Sequence, residues 1–152
     1  MITAYRITKR EFADTIWSGL GAREYGGQWN SKGVAVAYAA ESRSLAALEQ
    51  LVHLIKPRVL RDFVVSSISF AEGRVLRVDP KELPADWANP VAPASLKRFG
   101  DEWAAAGRYP VLRVPSAVVA GEWIYLVNPA HRETAKMAKT PPEPFAFDGR
   151  LV

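Results

Sequence analysis

The chain has 152 residues, 49% of them hydrophobic, enough for one domain to bury a core without disulfides or metal. It has no cysteine, which excludes thiol catalysis, cysteine metal sites and disulfides and is compatible with a reducing compartment. A net charge of +4 and a pI near 9.5 suit an anionic ligand, an acidic partner or a merely solvated basic surface; the Lys and Arg are dispersed, without a zinc-finger or RNA-binding signature.

The N-terminus, MITAYRITKREF, lacks an apolar signal core, and no segment approaches the roughly 18 apolar residues of a membrane span. A soluble cytoplasmic protein is the expectation. Ile2 to Ile7 mixes β-branched and aromatic residues and reads as an opening strand. Glu11 to Trp17 has room for one or two helical turns. Gly19, Gly21, Gly26, Gly27 and Gly33 then punctuate a long loop. Val34 to Tyr38 is a short apolar run suited to a buried strand. Ser42 or Ser44 caps a helix from about Leu45 to Ile55, with Leu45, Leu48, Val52 and Ile55 facing the core, and Pro57 ends it. Asp62 to Phe70 and Gly73 to Val78 read as strands, with the Ala71-Glu72-Gly73 turn available to pair them. Asp79 to Pro93 holds four prolines and is an irregular connection. Ser95 to Ala106 is an amphipathic helix with Leu96, Phe99 and Trp103 inward and Gly107 as its stop. Pro110 to Val114 and Gly121 to Val127 are strand candidates, and an Asn-Pro turn follows the second. The tail from about residue 132 to 152 is expected to be loosely held. Helices and strands do not strictly alternate, so the class is α+β in a single compact domain spanning 1–152.

Glu49 lies between Leu48 and Leu51, near the apolar stripe of its helix. A carboxylate there is costly unless it has partners or a purpose; the plainer reading is an exposed acid on the helix flank. Tyr38 and Trp29 suit a core or rim position as well as a ligand face, and Ser116, after Pro115, suits a turn or a cap. Gly26-Gly27 beside Trp29 and Asn30 offers backbone that a phosphate or a flat ring can approach. Neither the dinucleotide fingerprint nor a Walker A motif is present.

The order of these pieces is what the chain shares with a known family. Tyr5-Arg6, GLGAREYGGQWNSKG, a strand ending in Tyr38-Ala39-Ala40, SLAALEQLVH, RVPSA and YLVNPAH together resemble the RES-domain toxins, from about Tyr5 to His131. The resemblance implies a fold like that of ADP-ribosyltransferase toxins, a central split β-sheet with flanking helices. It implies the toxin of a type II toxin–antitoxin pair that consumes NAD by hydrolysis or phosphorolysis. A mono-ADP-ribosyltransferase acting on an intracellular protein is the alternative. The implied partner is an Xre-type antitoxin, in a hetero-oligomer, with no direct nucleic-acid or membrane binding by this chain. Carried over by position, the family tyrosine matches Tyr38, the glutamate Glu49 and the serine Ser116, with Arg6 at a further recurrent position. On that reading Glu49 stabilises the cationic ribose, Tyr38 stacks on nicotinamide or ribose, and Ser116 hydrogen-bonds the substrate. Arg6, Arg23 and the glycine loop with Gly27, Trp29 and Asn30 hold the pyrophosphate, and no metal is needed.

One departure stands out. The family reads GGRWN where this chain reads GGQWN, so the signature arginine falls on Gln28. An amide supplies neither the charge nor the bidentate fork of a guanidinium. A natural variant in which Arg23 or Arg6 takes over, an inactivating substitution, and a weakened relative that serves only as an antitoxin-binding module all stay open.

Overall fold

The first strand, β1 (Ile2–Lys9), lies inside an eight-stranded sheet rather than at its edge. The computed structural model describes residues 1–54 and 60–151. After β1 come a 3₁₀ turn (Arg10–Thr15), α1 (Leu20–Tyr25), β2 (Ala37–Ala40), α2 (Arg43–Leu51), β3 (Phe63–Phe70) and β4 (Val75–Arg77). The chain continues through α3 (Ala94–Ala106), β5 (Val111–Pro115), β6 (Trp123–Val127), β7 (Ala138–Lys139) and β8 (Glu143–Phe145). The sheet runs β4-β5-β6-β2-β1-β3-β7, with β8 also on β3. Every pairing is antiparallel except β4 with β5.

Strand alternation divides the core into two layers. Ile7, Ala40, Leu112, Val114 and Leu126 face one side, where Leu45 of α2, Leu96 and Trp103 of α3, and Trp29 close over them. Ala4, Ala37, Ile68, Val111 and Val127 face the other side, covered by Ile16 and Trp17. The molecule is a mixed α+β domain with few helices around one sheet.

Several local expectations change. The glycine stretch is not all loop: Gly19 and Gly26, at φ 70° and 73°, bracket the short α1. Positive φ is cheap only for glycine, so these residues mark where the helix starts and stops. The strand expected at Val34–Tyr38 begins later, at Ala37. Ser42 caps α2, its hydroxyl accepting from the Leu45 amide. Leu48 and Val52 do not face the core; Val52 is 58% exposed. The buried side of α2 is Leu45 and Ala46, because the helix meets the sheet along the i, i+1 flank rather than the i, i+3, i+7 stripe. Ile55 and Pro57 lie outside the described residues. No hairpin joins β3 to β4: β3 takes β1, β7 and β8, whereas β4 crosses to lie parallel to β5. Phe99 is turned outward, its place on the core taken by Gly100. The tail is tied down. β7 and β8 pair with β3, and Phe147 is buried edge-on against Phe63, with ring centroids 5.0 Å apart.

Candidate active site

Glu49 sits in the last turns of α2 and Ser116 directly after β5. Ser116 Oγ donates to Glu49 Oε1 at 2.8 Å. The same oxygen accepts the amides of Val118 and Val119 at 3.1 and 3.0 Å. Two donors onto one hydroxyl fix its proton toward the carboxylate. Ser116 is buried and has no histidine partner, so it orients Glu49 and is not set up as a nucleophile. Burial raises the Glu49 pKa above its ordinary value, against the Ser116 hydrogen bond and the charge of His53, which favour the carboxylate. His53 lies one turn on, at the i, i+4 spacing from Glu49. Within the RVPSA motif, alternation puts Arg113 on the opposite face, stacked over Trp123 at 3.8 Å.

A second group forms around the Tyr38 phenol. It donates to Asn30 Oδ1 at 2.6 Å and accepts the Trp29 amide at 3.0 Å. Asn30 is 0% exposed, and its Nδ2 donates to the carbonyls of Ala22, Ser31 and Val34. Burial, foremost, raises the Tyr38 pKa well above that of a free phenol; the Trp29 amide opposes the shift and the charge of Asp101 adds to it. A phenol so held is a neutral strut and does not exchange protons near neutral pH.

Gly27 is required here: a Cβ on it would meet Asn30 Oδ1 and the Tyr38 hydroxyl at 2.7 Å each. α3 fastens the same loop from outside. Lys97 Nζ donates to the carbonyls of Gly27 and Asn30, and Asp101 Oδ1 accepts the Ser31 amide at 2.9 Å. Gly100, between them, lies flat against Trp29, whose carbonyl oxygen would be 1.7 Å from an added Cβ. Lys97, Gly100 and Asp101 escaped the sequence reading. An i, i+4 Lys–Asp pair on a helix looks like a solvated face, and only the contact reveals a clamp.

The remaining expected residues divide. Gln28 Nε2 donates to the Trp87 carbonyl at 3.0 Å, which ties the glycine loop to the proline-rich connection. Arg23 is exposed on α1, with no ion pair among the described residues. Trp29 is 1% exposed, its ring edge-on to Phe99, so it packs in the core and offers no open face for a substrate to stack on. Arg6 lies on the Ala4 side of β1 and not on the Tyr5 side. Its Nε donates to the Ile16 carbonyl at 2.7 Å and its Nη1 to the Tyr38 carbonyl at 3.0 Å. Its pKa is lowered to about 10 by burial. Arg6 is therefore a brace between the 3₁₀ turn and β2. The structure joins Glu49 to Ser116 and Tyr38 to Trp29, Asn30 and Gly27; no hydrogen bond links the two groups. Among the described residues, no three His, Asp or Glu side chains gather to hold a metal ion. Nor is any helix there long and apolar enough to cross a membrane.

The RES domain family matches residues 3–148. The chain belongs to the RES-domain toxin family. It is 38% identical over 148 residues to the protein named Toxin Res of Yersinia enterocolitica, covering 97% of each chain. A Toxin Res of Photorhabdus laumondii is 38% identical over 149 residues, 97% of this chain and 96% of that one. The Prs ADP-ribosylating toxin of Sphingobium sp. is 38% identical over 141 residues, 89% of this chain and 86% of its own length. The fold is that of a chain in the crystal structure of the M. tuberculosis MbcT–MbcA toxin–antitoxin complex. The TM-score is 0.70 at 18% identity, over 99% of this chain and 86% of that one.

Proposed function

We propose that this chain is the toxin of a toxin–antitoxin pair and that it cleaves the nicotinamide–ribose bond of NAD. The observation that carries the reading is the Ser116–Glu49 hydrogen bond, which holds one partly buried carboxylate of α2 against the end of β5. Bond cleavage develops positive charge on the ribose carbon, as in glycoside cleavage. The Glu49 carboxylate stabilises that charge and orients the incoming water or phosphate. Ser116 holds Glu49 in place, and the Tyr38–Asn30 strut sets the wall formed by the glycine loop. Arg23 is what this stretch offers the pyrophosphate, because Arg6 is committed to carbonyls, Gln28 has no charge, and the amides of Gly27, Trp29 and Ser31 are already bonded.

Transfer of ADP-ribose to a protein is the second reading, supported by the similarity to the Prs ADP-ribosylating toxin. It uses the same Glu49, with a protein side chain as acceptor. The likeness to a chain of a toxin–antitoxin complex supports an antitoxin partner, and Xre type is our assignment for it.

The test is NAD loss with product identification, for the chain and for Gln28→Arg, with phosphate, without it and with cell extract. Free ADP-ribose or its phosphate supports NAD degradation, and labelled protein supports the transferase. Turnover only by Gln28→Arg makes Gln28 an inactivating change, leaving the chain as it stands an antitoxin-binding module. Glu49→Ala in the Gln28→Arg background abolishes turnover; retained turnover there refutes the assignment.

A further inference from the structure

A second cluster of charge lies at the far end of β5 from Ser116. β5 begins at Val111, and Val111 pairs with both Val75 and Val127. That register gathers three segments at one end of the sheet: Arg74 before β4, Arg108 before β5, and His131-Arg132-Glu133 after β6. They line a concavity of about 480 Å³. Ser116 leaves β5 at its other end, so this concavity is separate from the Glu49 site and independent of the function proposed for it.

The charges here are not balanced. Glu133 is the one carboxylate lining the concavity, and it holds Arg74 Nε at 3.1 Å. Arg108 and Arg132 have no ion pair and no side-chain hydrogen bond among the described residues. Arg108 follows Gly107 at the end of α3, where a cation suits the helix dipole. The helix dipole accounts for Arg108 and Glu133 for Arg74, which leaves Arg132 without a partner among the described residues. His131 Nδ1 accepts the Glu133 amide at 3.1 Å, which leaves Nε2 as the ring's donor. Two guanidiniums without ion pairs, a third shared with Glu133, and an imidazole N–H line one open, polar hollow with a single acid, which suits an anion of multiple charge.

We propose that this hollow binds a multiply charged phosphoryl group, such as pyrophosphate or the diphosphate of a nucleotide. The test is amide chemical-shift titration of the full chain by NMR with pyrophosphate and, separately, with ADP. Either ligand produces saturable shifts at Gly107, Arg108, His131 and Arg132, and Arg108→Gln/Arg132→Gln weakens them about tenfold or more. Equal affinity for the two ligands assigns the site to the bare phosphates; tighter ADP binding assigns it to a nucleotide. Any shift that ADP causes near Glu49 is unchanged in the double variant. Arg132→Gln alone, at an exposed position, gives the same direction with less effect should the double variant not fold. No saturable shift in the hollow up to about 10 mM, or shifts indifferent to both variants, would overturn the proposal.

Discussion

Ser116 satisfies three neighbours with one oxygen, and its removal has a signature beyond lost stability. Ser116→Ala strips the hydrogen bond that lowers the Glu49 pKa and leaves two amides unpaired. The activity we assign needs the carboxylate, so its acid limb lies above the ordinary carboxylate value. In Ser116→Ala that limb moves to still higher pH, read from kcat/KM against pH, alongside a stability loss of about 1–3 kcal/mol. A limb that stays in place would remove Ser116 from this role. Glu49→Gln runs the other way. The folded chain holds the Glu49 proton more tightly than the unfolded chain does, so between the two pKa values stability falls as pH rises. A neutral amide escapes that cost and still accepts from Ser116. Thermal unfolding at pH 7 is expected to find Glu49→Gln no less stable than the parent, and on the activity we propose any NAD turnover in the Gln28→Arg background is lost with it. Glu49 and Ser116 were legible in the sequence through their motifs, but their direct contact was not. Periodicity alone left Glu49 on a solvent flank, because the tie to Ser116 spans 67 positions of chain.

At the level of elements, the glycine loop is shaped by α3 as much as by its own residues. Gly100→Ala drives a methyl into the Trp29 carbonyl and costs more than about 3 kcal/mol in chemical denaturation. Gly27→Ala meets side-chain oxygens instead, which yield at the expense of the Tyr38–Asn30 bond. It costs about 1–3 kcal/mol, with a larger loss of activity than of stability. Equal costs for the two would mean that the loop has no rigid backbone contact with α3. The sequence marks the loop but not what its residues do in the fold. Arg6, Trp29 and Asn30 looked like ligand-facing groups because charge, an aromatic ring and an amide beside paired glycines suit a phosphate. In the fold the same properties brace carbonyls, fill the core and organise the turn. Phe99 was misplaced for a related reason: spacing cannot tell that Gly100, and not its bulky neighbour, is what lets α3 come close to Trp29.

For the whole molecule, the α+β class followed from the element pattern, whereas strand order did not. Nothing local in Gly73–Val78 says that it passes over the adjacent β3 for a parallel place beside β5. The tail shows the same limit: its polar, proline-rich composition conceals two short strands and the buried Phe147. Phe147→Ala leaves a void beside Phe63 and Phe145 and costs about 3–5 kcal/mol; a change below 1 kcal/mol in urea unfolding would mean that the tail is dispensable.

The central position of β1 has a consequence for timing. β1 is hydrogen-bonded to β2 and β3, both made after it, while β2 waits for β6. Glu49 emerges from the ribosome 67 residues ahead of the serine that orients it. A growing polypeptide therefore holds the carboxylate without its partner until those residues are made, and the site closes only as β5 and β6 dock. On the activity proposed, a site that needs both residues is incomplete in every nascent chain that ends before β6.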